Sequence, residues 1–282
     1  MARYVDRDTL KSALSIPASS TDNHALLDAA IEGVSRLIDD YCGFPFAPSS
    51  GTRDYTAVDS ECLYLDMPLT AVDSIRTDSS GNASYGTTCT SSDYYLAPYN
   101  ATAESPARPY WEVETRPNAT ATFPTGVRRG VRVTGTWGYY DQRADTTAVL
   151  STGVNATAKT LEVTGATSLH AGQMILMDSE RMTVVSTPAS ATGAHTSGVI
   201  VQRGVNGTAG AAHTSGAAIA VYEYPIVSQA AMFQAQMDYR SRDAPMGMAG
   251  GEAFGAQRMY AAAGLHPFAK RMLDGFRKPT AL

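Results

Sequence analysis

The sequence predicts an α+β protein in which a helical bundle from both chain ends accompanies a small antiparallel β domain and an inserted all-β module. Near both ends of the 282-residue chain, apolar residues recur at helical spacing. Between them, many residues alternate with the period of two that is typical of strands. We therefore assign residues 1–43 and 223–282 to the helical core, 44–140 to the β domain and 141–222 to the inserted β-rich module.

The first long helix is predicted from Asp22 to Cys42. Its apolar positions follow one another at intervals of three or four residues, which places them on one face. Gly43 stands where a left-handed C-cap falls. The residues that we expect this helix to bury are Leu27, Ile31, Val34 and Ile38.

The second long helix is predicted from Pro225 to Asp243. Pro225 suits the first helical turn, and Pro245 disfavours helical geometry in the residue before it. We expect this helix to bury Ile226, Phe233 and Met237 on a stripe that also includes Val227, Ala230 and Ala231. A single amphipathic helix cannot bury its own stripe, so the two long helices are predicted to pack on each other.

Strand patterns fill the region between the two helices. In the β domain they cover residues 53–58, 62–66, 72–75, 94–96, 110–114 and 131–137. In the inserted module they cover residues 160–164, 174–178, 182–185, 199–202 and 218–222. The module is rich in Gly, Ala, Thr and Ser and poor in charge, as expected of short strands joined by turns.

A glycine-rich tether, residues 246–264, precedes a short amphipathic helix that starts at His266-Pro267. Its side chains of interest are Leu265, Phe268, Lys270, Arg271, Met272 and Phe276. Such a helix either docks on a neighbouring molecule or packs on its own domain. The sequence favours neither alternative.

Composition excludes several classes of protein. The net charge of −5 argues against binding of nucleic acid through neutralised phosphates. Residues 1–43 carry four Lys/Arg against seven Asp/Glu, whereas residues 223–282 carry seven against five, so a tail could be steered toward an acidic surface. The three cysteines lack metal-ligand or paired spacing, and no apolar stretch reaches the roughly 20 residues of a membrane span. We expect no disulfide and no membrane partner.

No motif with catalytic chemistry occurs in the sequence, so we predict neither an enzyme nor a bound cofactor or metal. A nucleophile elbow, a phosphate-binding loop and a zinc-protease motif are all absent. His170, His195 and His213 lie in loops of the module and are predicted to be solvated. Trp111 and Trp137 are predicted to be core aromatics.

Several stretches, taken in their order and spacing, resemble the head-tail connector, or neck adaptor, proteins of long-tailed bacteriophages. These stretches are Leu26–Gly43, Leu63–Leu69, Asp93–Leu96, Val131–Tyr139 and Tyr239–Gly247. The resemblance covers about residues 1–140 and 224–278. The module at 141–222 departs from the short family pattern and looks like a Gly-Val-Asn-Gly-Thr insert of some relatives.

The resemblance implies a structural virion protein that is located in the neck, between capsid and tail, after assembly in the host cytoplasm. About twelve copies would form a ring under the portal protein and extend the DNA channel. The ring would offer an attachment point to a head-closure or tail-terminator protein, and viral DNA would pass through its lumen without sequence-specific binding. The residues expected to dock on the portal are Leu265, Phe268, Lys270, Arg271, Met272 and Phe276.

An alternative function is a carbohydrate- or surface-binding β module protein of the virion. In that interpretation Trp111, Trp137 and the Thr-rich module form the binding site.

Overall fold

The computed structural model describes residues 2–104, 107–187, 196–241, 248–249, 258–259 and 264–278. The α-helices are α1 (Arg7–Ala13), α2 (His24–Cys42), α3 (Val227–Ser241) and α4 (Pro267–Leu273). The first strands are β1 (Ser49–Tyr55), β2 (Cys62–Thr77), β3 (Thr87–Cys89), β4 (Tyr94–Ala97), β5 (Tyr110–Thr115) and β6 (Val131–Trp137). They are followed by β7 (Arg143–Leu150), β8 (Thr160–Thr164), β9 (Met174–Met177), β10 (Glu180–Ser186), β11 (Thr196–Gln202), β12 (Ala218–Tyr222), β13 (Met248–Ala249) and β14 (Arg258–Met259).

The predicted fold class is wrong. The structure is mostly β, with one six-stranded antiparallel sheet and one closed six-stranded barrel, and it is not a helical bundle built from both chain ends. The helices are short, because α1 and α4 have 7 residues each, α3 has 15 and α2 has 19. Most of the buried apolar side chains therefore belong to the sheets rather than to a helical layer.

The chain divides into two compact units. The helix–barrel unit comprises Met1–Gly43, Arg143–Val205 and Ala209–Leu282. The sheet unit comprises Phe44–Gln142 and Asn206–Thr208. Most residues of the predicted inserted module thus share a unit with the helices, whereas residues 141–142 and 206–208 belong to the sheet unit.

The sheet unit is built on the strand order β1-β6-β2-β5-β4, with β3 paired to β2. The long strand β2 pairs with β5 through its first half and with β6 through its second half, and Leu69 faces both Tyr110 and Trp137. Along β6 every second residue from Val131 to Trp137 is buried. This alternation is the period-two pattern of the sequence, and it gives the sheet one apolar face.

The barrel of the helix–barrel unit has the cyclic strand order β10-β11-β8-β7-β12-β9. Each of its strands contributes inward side chains to one core, which includes Leu161, Ile175, Met182, Val201 and Ile219. All of the pairings around the ring are antiparallel. Because the ring closes, no strand of the barrel presents a free edge.

Helix α2 buries the predicted face. Leu27, Ile31, Val34 and Ile38 are each at most 1% exposed. Gly43 adopts a φ of 87°, and its N–H donates to the Asp39 carbonyl at 2.8 Å, which ends the helix in a left-handed cap. The N-cap is Asn23, and no side-chain hydrogen bond caps this end.

Helix α3 buries part of the predicted face. Val227, Ala230 and Ala231 of the predicted stripe are buried. Ile226 lies before the helix and is 40% exposed, while Phe233 and Met237 are only half-buried. The other buried residues of the helix are Gln234, Ala235 and Tyr239. Small alanines, rather than the large side chains of Phe233 and Met237, therefore form most of the packed side.

Helices α2 and α3 pack on each other, and α3 also packs on α4. Alanine at positions 230, 231 and 235 lets the backbone of a partner helix approach closely. The two ends of the chain therefore meet within the helix–barrel unit.

Replacing Ile31 with Ala is expected to lower the free energy of unfolding by about 2 to 5 kcal/mol, because Ile31 is fully buried on α2. The matched control is Leu26→Ala on the same helix, where the side chain is 53% exposed. We expect a change of at most about 0.5 kcal/mol for the control. Urea unfolding followed by circular dichroism measures both values, and equal losses would contradict the assignment of the α2 faces.

Candidate functional site

The C-terminal helix α4 packs on α3 of the same chain. Leu265, Ala269 and Leu273 are at most 4% exposed, so one side of the segment is committed to this contact. Of the predicted tether, residues 248–249 and 258–259 pair as β13 and β14, and its other residues up to 263 lie outside the described ones. Leu265, one of the six predicted docking residues, has no surface to offer a partner in this arrangement.

The outer side of α4 carries an aromatic ring and two cations. Phe268 is 42% exposed, and Lys270 and Arg271 on the same helix are exposed as well. The Arg271 guanidinium lies 5.6 Å from the centre of the Phe268 ring, which in turn lies 4.8 Å from the Phe233 ring. We call Phe268, Lys270 and Arg271 the α4 patch. The other two predicted docking residues, Met272 and Phe276, are half-buried.

The end of α4 is fastened to the end of α2. The N–H of Lys278 donates to the carbonyl of Cys42 at 2.9 Å, and the Tyr41 hydroxyl donates to the Asp274 carboxylate. The Arg277 guanidinium stacks over the Tyr41 ring at 5.4 Å. These contacts hold the α4 patch in a defined position on the helix–barrel unit.

A groove of about 590 Å³ opens on another side of the same unit. The N-terminal segment before α1, strands β9 and β12, and the first turns of α3 line it. Its apolar and aromatic lining includes Tyr4, Met174, Tyr224, Ile226 and Met232. Its volume lies within the range of binding clefts for small ligands and side-chain anchors.

One wall of the groove contains a strained turn. Ile226 has a φ of 68°, and the Val227 N–H donates to the Pro225 carbonyl at 2.7 Å, which closes a three-residue turn. A β-branched residue rarely adopts this conformation, which costs on the order of 1 to 3 kcal/mol. Complete burial of the side chain does not offset this free-energy cost, because Ile226 remains 40% exposed at the groove.

The charged residues of the groove are Arg3, Asp6 and Glu223. Arg3 is already paired with Asp28 at 3.1 Å and with Glu32 at 3.5 Å. Glu223 is exposed and Asp6 is half-buried. The groove therefore has a mildly acidic rim.

Beside the groove, Tyr4 contacts the acidic side of α2. Its hydroxyl donates to Asp39, and Arg36 forms an ion pair with the same carboxylate at 2.7 Å. Burial raises the pKa of Asp39 to about 6, although the Tyr4 and Arg36 contacts oppose that rise.

A buried ionic cluster ties the loops of the barrel together. The Glu180 side chain is 0% exposed, and its carboxylate accepts hydrogen bonds from Arg203 at 2.6 and 2.8 Å. The backbone N–H groups of Gly204 and Ala211 also donate to it, each at 2.8 Å. Burial alone raises the pKa of Glu180, but these donors together with His213 outweigh it and lower the pKa to about 2.

His213 belongs to this cluster, so the prediction that it is a solvated loop residue is wrong. It is 4% exposed; its Nε2 lies 2.9 Å from Glu180 and its Nδ1 lies 2.6 Å from Asp178. The repeated Ala-His-Thr-Ser-Gly sequence at 194–198 and 212–216 was the available sign that this loop has a structural role. His195 lies outside the described residues.

Among the residues that the structure describes, those that could hold a cation are Asp6, Asp8 and His170, whose ligand atoms lie within 4.8 Å of one another. His170 is half-buried, and its Nδ1 lies 2.9 Å from the Asp8 carboxylate. Both oxygens of Asp6 accept hydrogen bonds from Thr9 at the start of α1. These contacts are the ones expected of a helix cap and a surface ion pair.

Comparison with protein-family models, with curated proteins and with solved structures finds no match for this chain.

Within the described ranges, none of the helices combines the length and the apolar character needed to cross a membrane.

Replacing Glu180 with Gln is expected to destabilise the protein by about 3 to 5 kcal/mol, because it leaves the Arg203 guanidinium buried without its counter-ion. Thermal and urea unfolding measure the loss. The matched control is Glu104→Gln, which changes an exposed pair with Arg108 and is expected to cost less than about 1 kcal/mol. Similar losses for the two variants would refute a structural role of the Glu180 cluster.

The Glu180 cluster also predicts an acid-sensitive fold. Because the pKa of Glu180 is lowered to about 2 from an ordinary 4.5, its ionised form contributes stability above about pH 4.5. That contribution disappears as the pH falls from 4.5 toward 2. The difference in unfolding free energy between the native chain and Glu180→Gln is therefore expected to shrink over this range, and a constant difference would argue against the assignment.

Proposed function

We propose that this chain is a non-enzymatic structural protein of a bacteriophage virion, a head-tail connector that forms a ring beneath the portal. The ring, of about twelve copies, extends the DNA channel and offers an attachment point to a head-closure or tail-terminator protein. The protein is located in the neck of the virion, after assembly in the host cytoplasm. The proposal starts from the resemblance of the helical and strand motifs to connector proteins.

The observation that carries the proposal is the position of the α4 patch. An exposed aromatic ring beside an arginine is a composition enriched at protein interfaces. The patch is held by the contacts of α4 with α3 and with the end of α2, so it can be presented without an ordering cost. A rigid, basic and aromatic surface at the C-terminus suits docking on the portal.

The charge of the chain is compatible with a DNA channel. A net charge of −5 repels phosphates, and a lumen lined with acidic side chains lets DNA pass without binding it. The exposed Asp40 on α2 belongs to one of the two chain ends that would form the wall of the ring.

The proposal of a non-enzymatic role is supported by the partners of the ionisable groups. His213 contacts two carboxylates, and Glu180 accepts hydrogen bonds from a guanidinium and two backbone N–H groups. Arg203 also donates to three backbone carbonyls, which are those of Asn155, Ala158 and Ala211. These contacts stabilise the loops of the barrel rather than activate a nucleophile.

The alternative, a carbohydrate- or surface-binding module, loses one of the two tryptophans on which it rests. Trp137 is 3% exposed and its indole N–H donates to the Gly51 carbonyl at 2.9 Å. Trp111 is half-buried and packs edge-on against Phe44, with ring centres 5.4 Å apart. The Trp137 ring therefore has no free face to offer a sugar.

The proposal predicts that Lys270→Glu combined with Arg271→Glu abolishes docking on the portal protein encoded with this chain. The two side chains are exposed, so the variant is expected to keep the fold within about 0.5 kcal/mol. Size-exclusion chromatography with light scattering and electron microscopy of the mixture measure docking. The native chain is expected to add a ring below the portal, and the variant is expected to leave the portal bare.

The matched control is Arg76→Glu combined with Arg128→Glu, which reverses two exposed charges on the sheet unit and gives the same net charge. The control is expected to dock like the native chain. Removing the whole of α4 is a poorer test, because Leu265 and Leu273 would leave apolar surface on α3 uncovered. A native chain that adds no density to the portal would overturn the proposed function.

A further inference from the structure

We propose that the groove bordered by Ile226 is the docking site for a second copy of this chain, and that the occupant is the apolar ridge on strands β10 and β11 of the neighbour's barrel. The inference rests on the proposed ring and names the contact that builds it.

The ridge consists of Val185 on β10 and Ile200 on β11, with Lys159 beside them. Val185 is 51% exposed and Ile200 is 43% exposed, although both belong to an otherwise well-packed barrel. The register of β10 and β11 shifts between Val184 and Ser186, and Ser186 then faces Ile200, so a β-bulge brings the two side chains together. Two β-branched residues exposed side by side form a small convex apolar surface.

The groove and the ridge lie on different strands of the barrel. The groove is lined by residues of β9 and β12, and the ridge lies on β10 and β11. In the cyclic strand order, β11 lies opposite β12, whereas β10 pairs with β9. The groove and the ridge are therefore two different faces of one copy. A contact between two different faces of identical subunits is heterologous, and it produces a closed ring when the rotation per copy closes.

The strained turn marks the groove as the receiving face. Ile226 is held in a left-handed conformation that its own burial does not justify, because it is 40% exposed. Backbone strain of this kind is concentrated at binding surfaces, where it presents a side chain to a partner. The Ile226 side chain borders the cavity together with Tyr224 and Met232, which is an apolar lining that suits Val185 and Ile200.

The charges complement each other across the contact. The groove has an acidic rim with Glu223 and Asp6, and its cation Arg3 is paired with Asp28 and Glu32. Lys159 is exposed, and its carbonyl accepts a hydrogen bond from the N–H of Val201, the residue after Ile200, at 2.8 Å. Glu162, farther along β8, is half-buried. Seating the ridge in the groove brings Lys159 toward Glu223, so the pair sets the register of neighbouring copies.

A charge exchange tests the contact directly. Lys159→Glu places two acidic residues against each other in every contact, and Glu223→Lys places two basic ones. Each variant alone is expected to lose at least about ten-fold in affinity between copies. In an equimolar mixture the two variants can alternate, so that Glu at position 159 of one meets Lys at position 223 of the other, and the native Lys159 meets the native Glu223. The mixture is therefore expected to associate like the native chain. The double variant Lys159→Glu with Glu223→Lys is also expected to associate like the native chain.

The readouts are sedimentation of the chain alone and the number of copies bound per portal, counted by mass photometry. Val185→Ser with Ile200→Ser removes the ridge, and Ile226→Asn removes the apolar edge of the groove while keeping a residue that tolerates a left-handed φ. Both are expected to weaken association by a similar factor. Leu26→Ser on α2, which changes an equally exposed side chain outside the ridge and the groove, is expected to have no effect.

The outcomes separate the two proposals. If the native chain forms rings on the portal and each single charge variant does so equally well, the groove is not the contact and the proposed function stands. If the mixture of variants fails to restore association, the pairing of Lys159 with Glu223 is refuted. If the native chain neither self-associates nor adds to the portal, the proposed function fails, and the docking site fails with it.

Discussion

The helix–barrel unit depends on the hydrogen bonds and ion pairs of the buried Glu180 carboxylate. Through Arg203 and His213 the cluster connects β10 to three loops, which contain residues 155–158, 203–204 and 211–213. These loops carry backbone carbonyls and N–H groups that have no strand partner of their own. Leaving such groups unpaired in a dry interior costs more free energy than a charged cluster whose members are all satisfied. The fully hydrogen-bonded Glu180 carboxylate thus holds several of the loops that connect the barrel strands close together.

A closed barrel with satisfied loops has consequences for association. It offers no unpaired strand edge, so a neighbour cannot add a strand to it as it can to an open sheet. Contacts must instead use side chains on the outside of the strands and on the helices. Among the described residues of this unit, the exposed large apolar side chains are Leu26 on α2, the strained Ile226 at the groove, the bulged Val185 beside Ile200, and Phe268 on α4. Each is an apolar residue that the fold holds in place without burying it.

Local patterns predicted the elements better than their arrangement. In β6 and β8 the apolar residues of the sequence alternate with polar ones, and the buried positions of the structure alternate in the same way. The two patterns agree because the side-chain period of a strand does not depend on the rest of the fold. Strand β7, Arg143–Leu150, was missed because its exposed face is polar and its apolar residues are few, yet it closes the barrel. The prediction of a helical bundle was wrong, because periodicity identifies a helix but does not show how much of the buried core that helix contributes. His213 was misassigned because its partner carboxylate, Glu180, lies 33 residues away and becomes a neighbour only after folding.

The groove shows why a site of this kind escapes sequence reasoning. Three segments far apart in the chain form it, namely residues 3–9, 173–174 and 221–232, and none of them carries a motif. The groove exists only after the barrel has closed and the N-terminal segment has packed beside α3. A chain whose barrel is still open has the exposed ridge residues but no cavity to receive them. In the proposed ring, receiving a neighbour would therefore require complete folding, because the groove depends on long-range closure whereas the ridge is local to one strand pair. A partly folded copy could still seat its ridge in a neighbour's groove, but it could not accept the next copy, so it would stop the growth of the ring.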